Sequence, residues 1–424
     1  MISTPLNSIA LVALGFIILH YLVETWLLAL NLRHGRAKGA SVPEGLREHV
    51  SEDTAGGSLA YTQARGRLAL AEGAFETLLT LVVLFSGFLP ALDGLLAERL
   101  QGAHLFAAYL ATLMLGLSVA GLPFGLYSTF VIEARFGFNR TTFGVWLLDR
   151  LKGLLLAAAL GLPLLYATHW FMSRTGPFWW LWLFGFYTGF QVLMVWIYPT
   201  LIAPLFNRFR PLPQGEFRTS LEELAQKAGF RTGGLYIMDA SRRSGHSNAY
   251  FTGFFRPRIV LFDTLVEKTP LDESLAVLAH EIGHYKARHV YKRLGLGLVQ
   301  TLGMLYVLSL LADWPPLFLA FGFSGPSFQA ALALLVLCGG SFTFFLTPFS
   351  AGLSRRHEFQ ADAFAVRLTG RPQSLVRALA RLGRENLSNL NPHPLYSSWH
   401  YSHPALTERL EAIGRLEPSG ERPS

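Results

Sequence analysis

The sequence predicts a mainly α-helical polytopic membrane protein, with seven transmembrane helices and a small α/β insert on one side. Three observations carry that prediction. Of the 424 residues, 51% are hydrophobic and only 15% charged, with a positive mean hydropathy, which is too apolar for an ordinary soluble enzyme. Seven apolar stretches reach the length of about 20 residues that a bilayer requires. Between the fifth and sixth, the chain turns polar and mixes helical with strand patterns.

In order, the expected spans are 9–30, 72–92, 104–127, 154–172, 178–201, 294–311 and 330–349. The first is expected to stay as an anchor, because no charged residue precedes Ile9 and a basic segment, Arg33 to Lys38, follows it. The sixth follows a basic patch containing Lys286, Arg288 and Arg293, and the helix before it is free to run straight on. This ordering divides the chain into spans one to five (1–203), a cytoplasmic insert (204–293), spans six and seven (294–350), C-terminal helices (351–416) and a disordered tail (417–424).

Loop charge predicts the orientation. The connection after the first span carries Arg33, Arg36, Lys38, Arg47, Arg65 and Arg67, and that after the third carries Arg135, Arg140, Arg150 and Lys152. The opposite connections hold Arg99, Arg174 and, between spans six and seven, no Lys or Arg. A positive-inside bias then places the N-terminus outside, with 205–290 and the C-terminal segment cytoplasmic. The same bias and anionic lipid headgroups account for the net charge of +8, so no nucleic-acid partner is expected. The single cysteine, Cys338, lies inside span seven and excludes an intrachain disulfide. His20, Glu24, Glu72, Glu76 and His169 fall within the spans, either facing a polar interior or snorkelling near span ends.

Within the insert, 204–213 is Pro-rich and basic, 215–229 reads as an amphipathic helix, and 234–238 and 259–262 read as short strands. Residues 247–253 form a further strand, pairing through a turn at 254–257 with 259–262. Asn248, Ala249 and Tyr250 lie on it. A strand beside a catalytic site holds an extended peptide by backbone hydrogen bonds; a hairpin packed only for stability accounts for the same residues.

His280-Glu281-Ile282-Gly283-His284 carries the chemistry. Residues four apart share a helix face, so His280 and His284 can bind one metal ion while Glu281 leans toward the water it activates. Chance supplies roughly a few hundredths of such a match per chain of this size. The helix expected over 271–290 has Leu275, Leu278, Ala279 and Ile282 on its apolar side. A catalytic zinc takes three protein ligands and leaves one position open. In the helical stretch 355–363, Glu358 and Asp362 sit one turn apart: Glu358 as third ligand, Asp362 orienting a ligand imidazole. His357 competes for the ligand role, about 100° around the helix, and a solvated charged face is the bland alternative.

Taken in order, Asn248-Ala249-Tyr250, the His280 to His284 run, Glu358-Phe359-Gln360-Ala361-Asp362 and Tyr401-Ser402-His403-Pro404 resemble the integral-membrane zinc metalloproteases that include the type I CAAX prenyl endopeptidase. So do Phe130 to Glu133 with Gly137-Phe138-Asn139, and Ile197-Tyr198-Pro199 with Pro204 to Asn207. The resemblance implies seven helices around a large internal chamber, with the zinc site at its cytoplasmic end. It implies one Zn2+ per chain on His280, His284 and Glu358, with Glu281 as general base, Asp362 behind a ligand, and His403 and Asn248 at the substrate or oxyanion. His403 also reads as a cap before Pro404, heading a last helix over 404–416.

The implied function is a membrane-embedded zinc metalloendopeptidase. Its partners are membrane lipids and a peptide or protein substrate: CAAX-type prenylated C-terminal peptides or, in a bacterium, quality-control substrates. The absence of a dilysine-type retrieval signal favours a bacterial inner membrane over the endoplasmic reticulum. A metal-binding transporter is the alternative, although no internal repeat is visible. A catalytically inactive scaffold is another, and an intact Glu281 argues against it.

Overall fold

A computed structural model of the chain describes residues 7–230, 232–252 and 258–416. The chain is mostly helical, with seven helices among the described residues long and apolar enough to cross a membrane: Ser8–Lys38, Glu52–Phe85, Gly102–Glu133, Phe143–Arg174, Gly176–Phe206, His289–Leu311 and Phe328–Thr369. Four of them begin on side-chain caps that satisfy first-turn amides, from Asn7, Ser51, Thr142 and Ser327. Inside the bundle, Glu24 faces His400 Nε2 at 3.3 Å and His20 Nδ1 faces Ser341 Oγ at 3.4 Å, so these two ionisable residues point at protein.

Every expected span overlaps a helix, but the helices outrun the apolar windows. The second begins at Glu52, twenty residues before the expected start, because its first half is rich in polar and small residues and falls below the hydropathy of a span. It ends at Phe85 rather than at 92: Gly87, at φ 81°, breaks it from a short apolar helix, Phe88–Ala97. The third closes in a π-helical turn, Ser128–Glu133, and the fifth passes through one, Tyr198–Ile202, before its last turn, Ala203–Phe206. Pro199 lies in the Tyr198–Ile202 turn and has no N–H to continue the ladder. The seventh passes through a 3-10 turn at Phe344–Leu346 and then runs unbroken as Thr347–Thr369, through position 350.

Among the described residues four strands form a sheet in the order β1-β2-β4-β3: β1 Phe209–Pro211, β2 Leu235–Met238, β3 Ala249–Thr252 and β4 Arg258–Phe262. β1 lies within the Pro-rich segment and pairs antiparallel with β2. Its Pro211 is tolerated because β1 is an edge strand. β2 and β4 are parallel, and β3 runs antiparallel to β4 with Tyr250 opposite Val260. The β3–β4 pairing follows the expectation, while the turn expected at 254–257 lies outside the described residues, as does the tail 417–424.

One apolar core joins the sheet to the helices of the insert and C-terminal segment through Leu221, Leu261, Ala279, Ile282, Ala365, Leu379 and Ile413. A second lies among the spans around Leu84, Phe106, Leu183, Phe318 and Ala330. Between them, Glu133 at the end of span three accepts hydrogen bonds from Tyr61 (2.7 Å) and Arg65 (2.9 Å) and faces His246 Nε2 at 3.4 Å. Arg243 clasps Asp149 through two nitrogens, at 2.8 and 3.1 Å.

Candidate active site

The metal-motif helix, Leu271–Lys286, and the carboxylate-bearing helix, Thr347–Thr369, cross at Gly283. A Cβ placed at Gly283 would stand 3.0 Å from the Ala361 Cα and 3.1 Å from its carbonyl oxygen. A side chain here would push the two helices apart by a few tenths of an ångström, so glycine allows the close approach that brings Glu358 and Asp362 against the two histidines. Glu273, buried near the start of the metal-motif helix, receives two hydrogen bonds from Arg381 (2.6 and 3.1 Å) and so fastens it to Pro372–Glu385.

At the crossing, His280 Nε2 and His284 Nε2 are 3.2 Å apart. Glu358 Oε2 lies 3.4 Å from the first and Oε1 3.2 Å from the second. These three residues are the one His/Cys/Asp/Glu group among the described residues arranged to hold a metal ion. A tetrahedral ion with bonds of about 2.0–2.1 Å has donor-to-donor edges of about 3.3–3.4 Å, so the set has the right size for zinc. Glu358 is buried with neither carboxylate oxygen in a well-directed hydrogen bond. Both oxygens are therefore open to ligate a metal, with Arg409 Nη1 standing 3.8 Å from Oε2.

Asp362 Oδ1 accepts from His280 Nδ1 at 2.8 Å, which turns Nε2 toward the ligand cluster. Behind Asp362 stands Arg409, buried and bidentate, with Nε to Oδ2 at 2.8 Å and Nη2 to Oδ1 at 2.6 Å. Burial alone would lower the His280 imidazole, but the Asp362 and Glu358 carboxylates raise it to about 9. Burial pushes the Glu281 carboxyl above its usual range, against the pull of His280 and His284. His284 Nδ1 faces His289 Nδ1 at 3.0 Å, and His289 Nε2 meets Gln360 Oε1 at 2.9 Å.

The cluster opens into a cavity of about 760 Å³. Its apolar wall comes from Phe190, Met194 and Val195 of the fifth span and from Val290 and Leu294 of the sixth; Glu281, His403 and the β3 residues Tyr250, Phe251 and Thr252 face them. Tyr250 thus reaches the cavity, whereas Asn248 and Ala249 do not line it. Asn248 Oδ1 instead accepts from Ala249 N at 2.8 Å, and the Asn248 carbonyl receives Phe262 N at 3.0 Å.

The structure brings His280, Glu281, His284 and Glu358 together as expected, with His403 Nδ1 2.7 Å from Glu358 Oε2. His403 is not a helix cap. The last helix is Leu406–Gly414 rather than 404–416, since Ala405 N donates to Glu408 and begins the first turn there. His357 turns away from the cluster and stacks on His289 at 3.9 Å. The metal-motif helix stops at Lys286 instead of reaching 290: Arg288, at φ 56°, turns the chain into the sixth span. Sequence reasoning missed Arg409, whose only signal is a cation on an amphipathic helix 47 residues from Asp362.

Residues 31–208 match the family described as the CAAX prenyl protease N-terminal, five membrane helices, and residues 211–417 match peptidase family M48. The chain is 39% identical to an Arabidopsis thaliana CAAX prenyl protease 1 homolog, covering 94% of this chain and 96% of that one. With CAAX prenyl protease 1 of Saccharomyces cerevisiae it shares 34% identity, covering 95% and 94%. The crystal structure of S. mikatae Ste24p superposes with a TM-score of 0.90 at 32% identity, covering 96% of this chain and all of that one.

Proposed function

Since the chain belongs to the CAAX prenyl protease family of M48 metallopeptidases, multi-pass membrane proteins, we propose that it is a zinc-dependent endopeptidase with Glu281 as its general base. The observation that carries this reading is the triangle of His280, His284 and Glu358 donors, 3.2 to 3.4 Å on each side, with Glu281 beside it at the wall of an accessible cavity. Bound there, zinc would polarise the scissile carbonyl and acidify a water.

The remaining work falls to the chain itself. Glu281 takes the water's proton and passes it to the leaving amide nitrogen, a task suited to a carboxyl that burial raises above its usual range. His403 donates to the carbonyl oxygen as negative charge grows on it. Asp362, held by Arg409, keeps His280 from rotating.

Among the described residues β3 pairs only with β4, which leaves its other edge unpaired there. Antiparallel alternation sends the Phe251 N–H and C=O to that edge, where an extended peptide can add as a further strand. Asn248 already occupies the other outward amide, that of Ala249. The apolar cavity wall built by two membrane spans suits the aliphatic residues and attached lipid of a prenylated CAAX terminus, and that is the substrate class proposed.

The zinc site and C-terminal helices would face the cytoplasm. The contacts of Glu133 with Tyr61, Arg65 and His246 support this, because they gather both basic connections and the insert on one side. The catalytic reading is tested with Glu281→Gln in the purified, zinc-loaded chain. It should keep one zinc and lose roughly 10²- to 10⁴-fold in kcat on a farnesylated CAAX peptide. Cleavage at the wild-type rate would remove Glu281 from the mechanism.

A further inference from the structure

We propose that Gln360, acting through His289, fixes His284 in the tautomer that offers a bare Nε2 to the metal. The inference rests on the zinc reading above. A neutral imidazole carries one proton, so a histidine that ligates through Nε2 must hold its proton on Nδ1 and needs an acceptor there. His280 has a carboxylate for this, Asp362 Oδ1 at 2.8 Å. His284 has none. Its Nδ1 faces another imidazole nitrogen, His289 Nδ1, at 3.0 Å.

Two ring nitrogens bond only when one of them bears the proton, and the polarity of that contact decides whether His284 can bind metal. With the proton on His289 Nδ1, His284 Nδ1 would accept, and the His284 proton would sit on Nε2 and block ligation. With His289 protonated on Nε2 instead, its bare Nδ1 accepts from His284 and frees His284 Nε2. That second state requires an acceptor for the His289 Nε2 proton. Gln360 Oε1 supplies it at 2.9 Å. The His357 ring, stacked on His289 at 3.9 Å with 14° between planes, holds the relay in place.

One helix, Thr347–Thr369, therefore provides the third ligand and both orienting groups: Glu358 for the metal, Asp362 for His280, and Gln360 for His284 by way of His289. Gln360 lies about 200° around that helix from Glu358, so it serves His284 from behind. Gln360 and His289 are positioning residues, since neither joins the ligand cluster.

The test is zinc retention by the full-length chain in detergent against a competing chelator, alongside ¹⁵N shifts of the His284 ring in the metal-free protein. His289→Phe should lower zinc affinity by about 10- to 100-fold and Gln360→Leu by about tenfold. Gln360→Glu keeps the acceptor oxygen and should stay within about threefold of wild type. In His289→Asn, the new carboxamide oxygen falls where Nδ1 was and accepts directly from His284. That variant should hold zinc, and adding Gln360→Leu to it should cost nothing further.

Unaltered chelator resistance in both His289→Phe and Gln360→Leu would overturn the relay alone. So would a Gln360→Glu loss as large as that of Gln360→Leu, which would make the side chain's shape the cause. A wild-type chain that retains no zinc would overturn the zinc reading and the relay together.

Discussion

Two helices of this chain both carry leucine and alanine and use them in opposite senses. Of the 32 residues in the fourth span, Phe143–Arg174, only Thr168 and Met172 are buried, and Leu147, Leu148, Leu151, Leu154, Leu155 and Leu162 are exposed. Of the 16 residues in Leu271–Lys286, nine are buried, and they include Glu273 and His280. Most apolar side chains on the first lie at the protein surface; on the second they fill a core that takes charged and ligating groups inside with it. Buried polar groups need partners, and the partners found here, Arg381 for Glu273 and Asp362 for His280, are what make the second helix a rigid mount for chemistry.

The sharpest way to break that comparison is to remove a charge the interior was built around. Glu358→Ala deletes one of three proposed protein ligands and leaves Arg409, 3.8 Å from Oε2, without its second carboxylate. Metal analysis of the purified variant should find it largely zinc-free and inactive. Wild-type zinc content would move the third ligand elsewhere, and His357, stacked on His289, is poorly placed to take over.

Next comes the apolar side of the same helix. Leu278 is 1% exposed within the insert core. Leu278→Ala should destabilise the chain by about 2–5 kcal/mol, as buried leucines do when a cavity is left behind. A thermal melt in detergent micelles that does not shift would mean the site collapses around the truncation. Gly283→Ala should cost about 1–3 kcal/mol, because its Cβ meets the Ala361 backbone rather than a side chain that can swing aside. It should also loosen zinc by pushing Glu358 from the histidines, so dissociation into a chelator would quicken together with the fall in stability.

These contrasts explain what could be read in advance. The seven spans are legible because a lipid-facing helix advertises itself residue by residue. Their true ends are not, since the polar first half of Glu52–Phe85 has the composition of any surface helix. His280, Glu281 and His284 are legible because one helical turn brings them together, and Glu358 with Asp362 for the same reason. Arg409, His289 and Gln360 reach the site by tertiary contact, between helices whose crossing depends on Gly283, and no local spacing records that. β1 was missed because Pro211 argues against a strand everywhere except at an edge.

The smallest effect tests the other half of the comparison. Leu155, in the middle of the fourth span, is 70% exposed, and if that surface meets only lipid tails, Leu155→Ala exchanges one apolar contact for another. The change in stability should stay within about 0.5 kcal/mol, because no cavity forms and no partner atom is lost from the protein. Activity and zinc content should be untouched. A loss approaching that of Leu278→Ala would show that Leu155 is covered by protein in the membrane, and a second copy of the chain is the first candidate to look for, by crosslinking through a cysteine placed at 155. Equal costs at Leu155 and Leu278 would therefore remove the distinction between the two helices, and only a gap of a few kcal/mol between two identical substitutions preserves it.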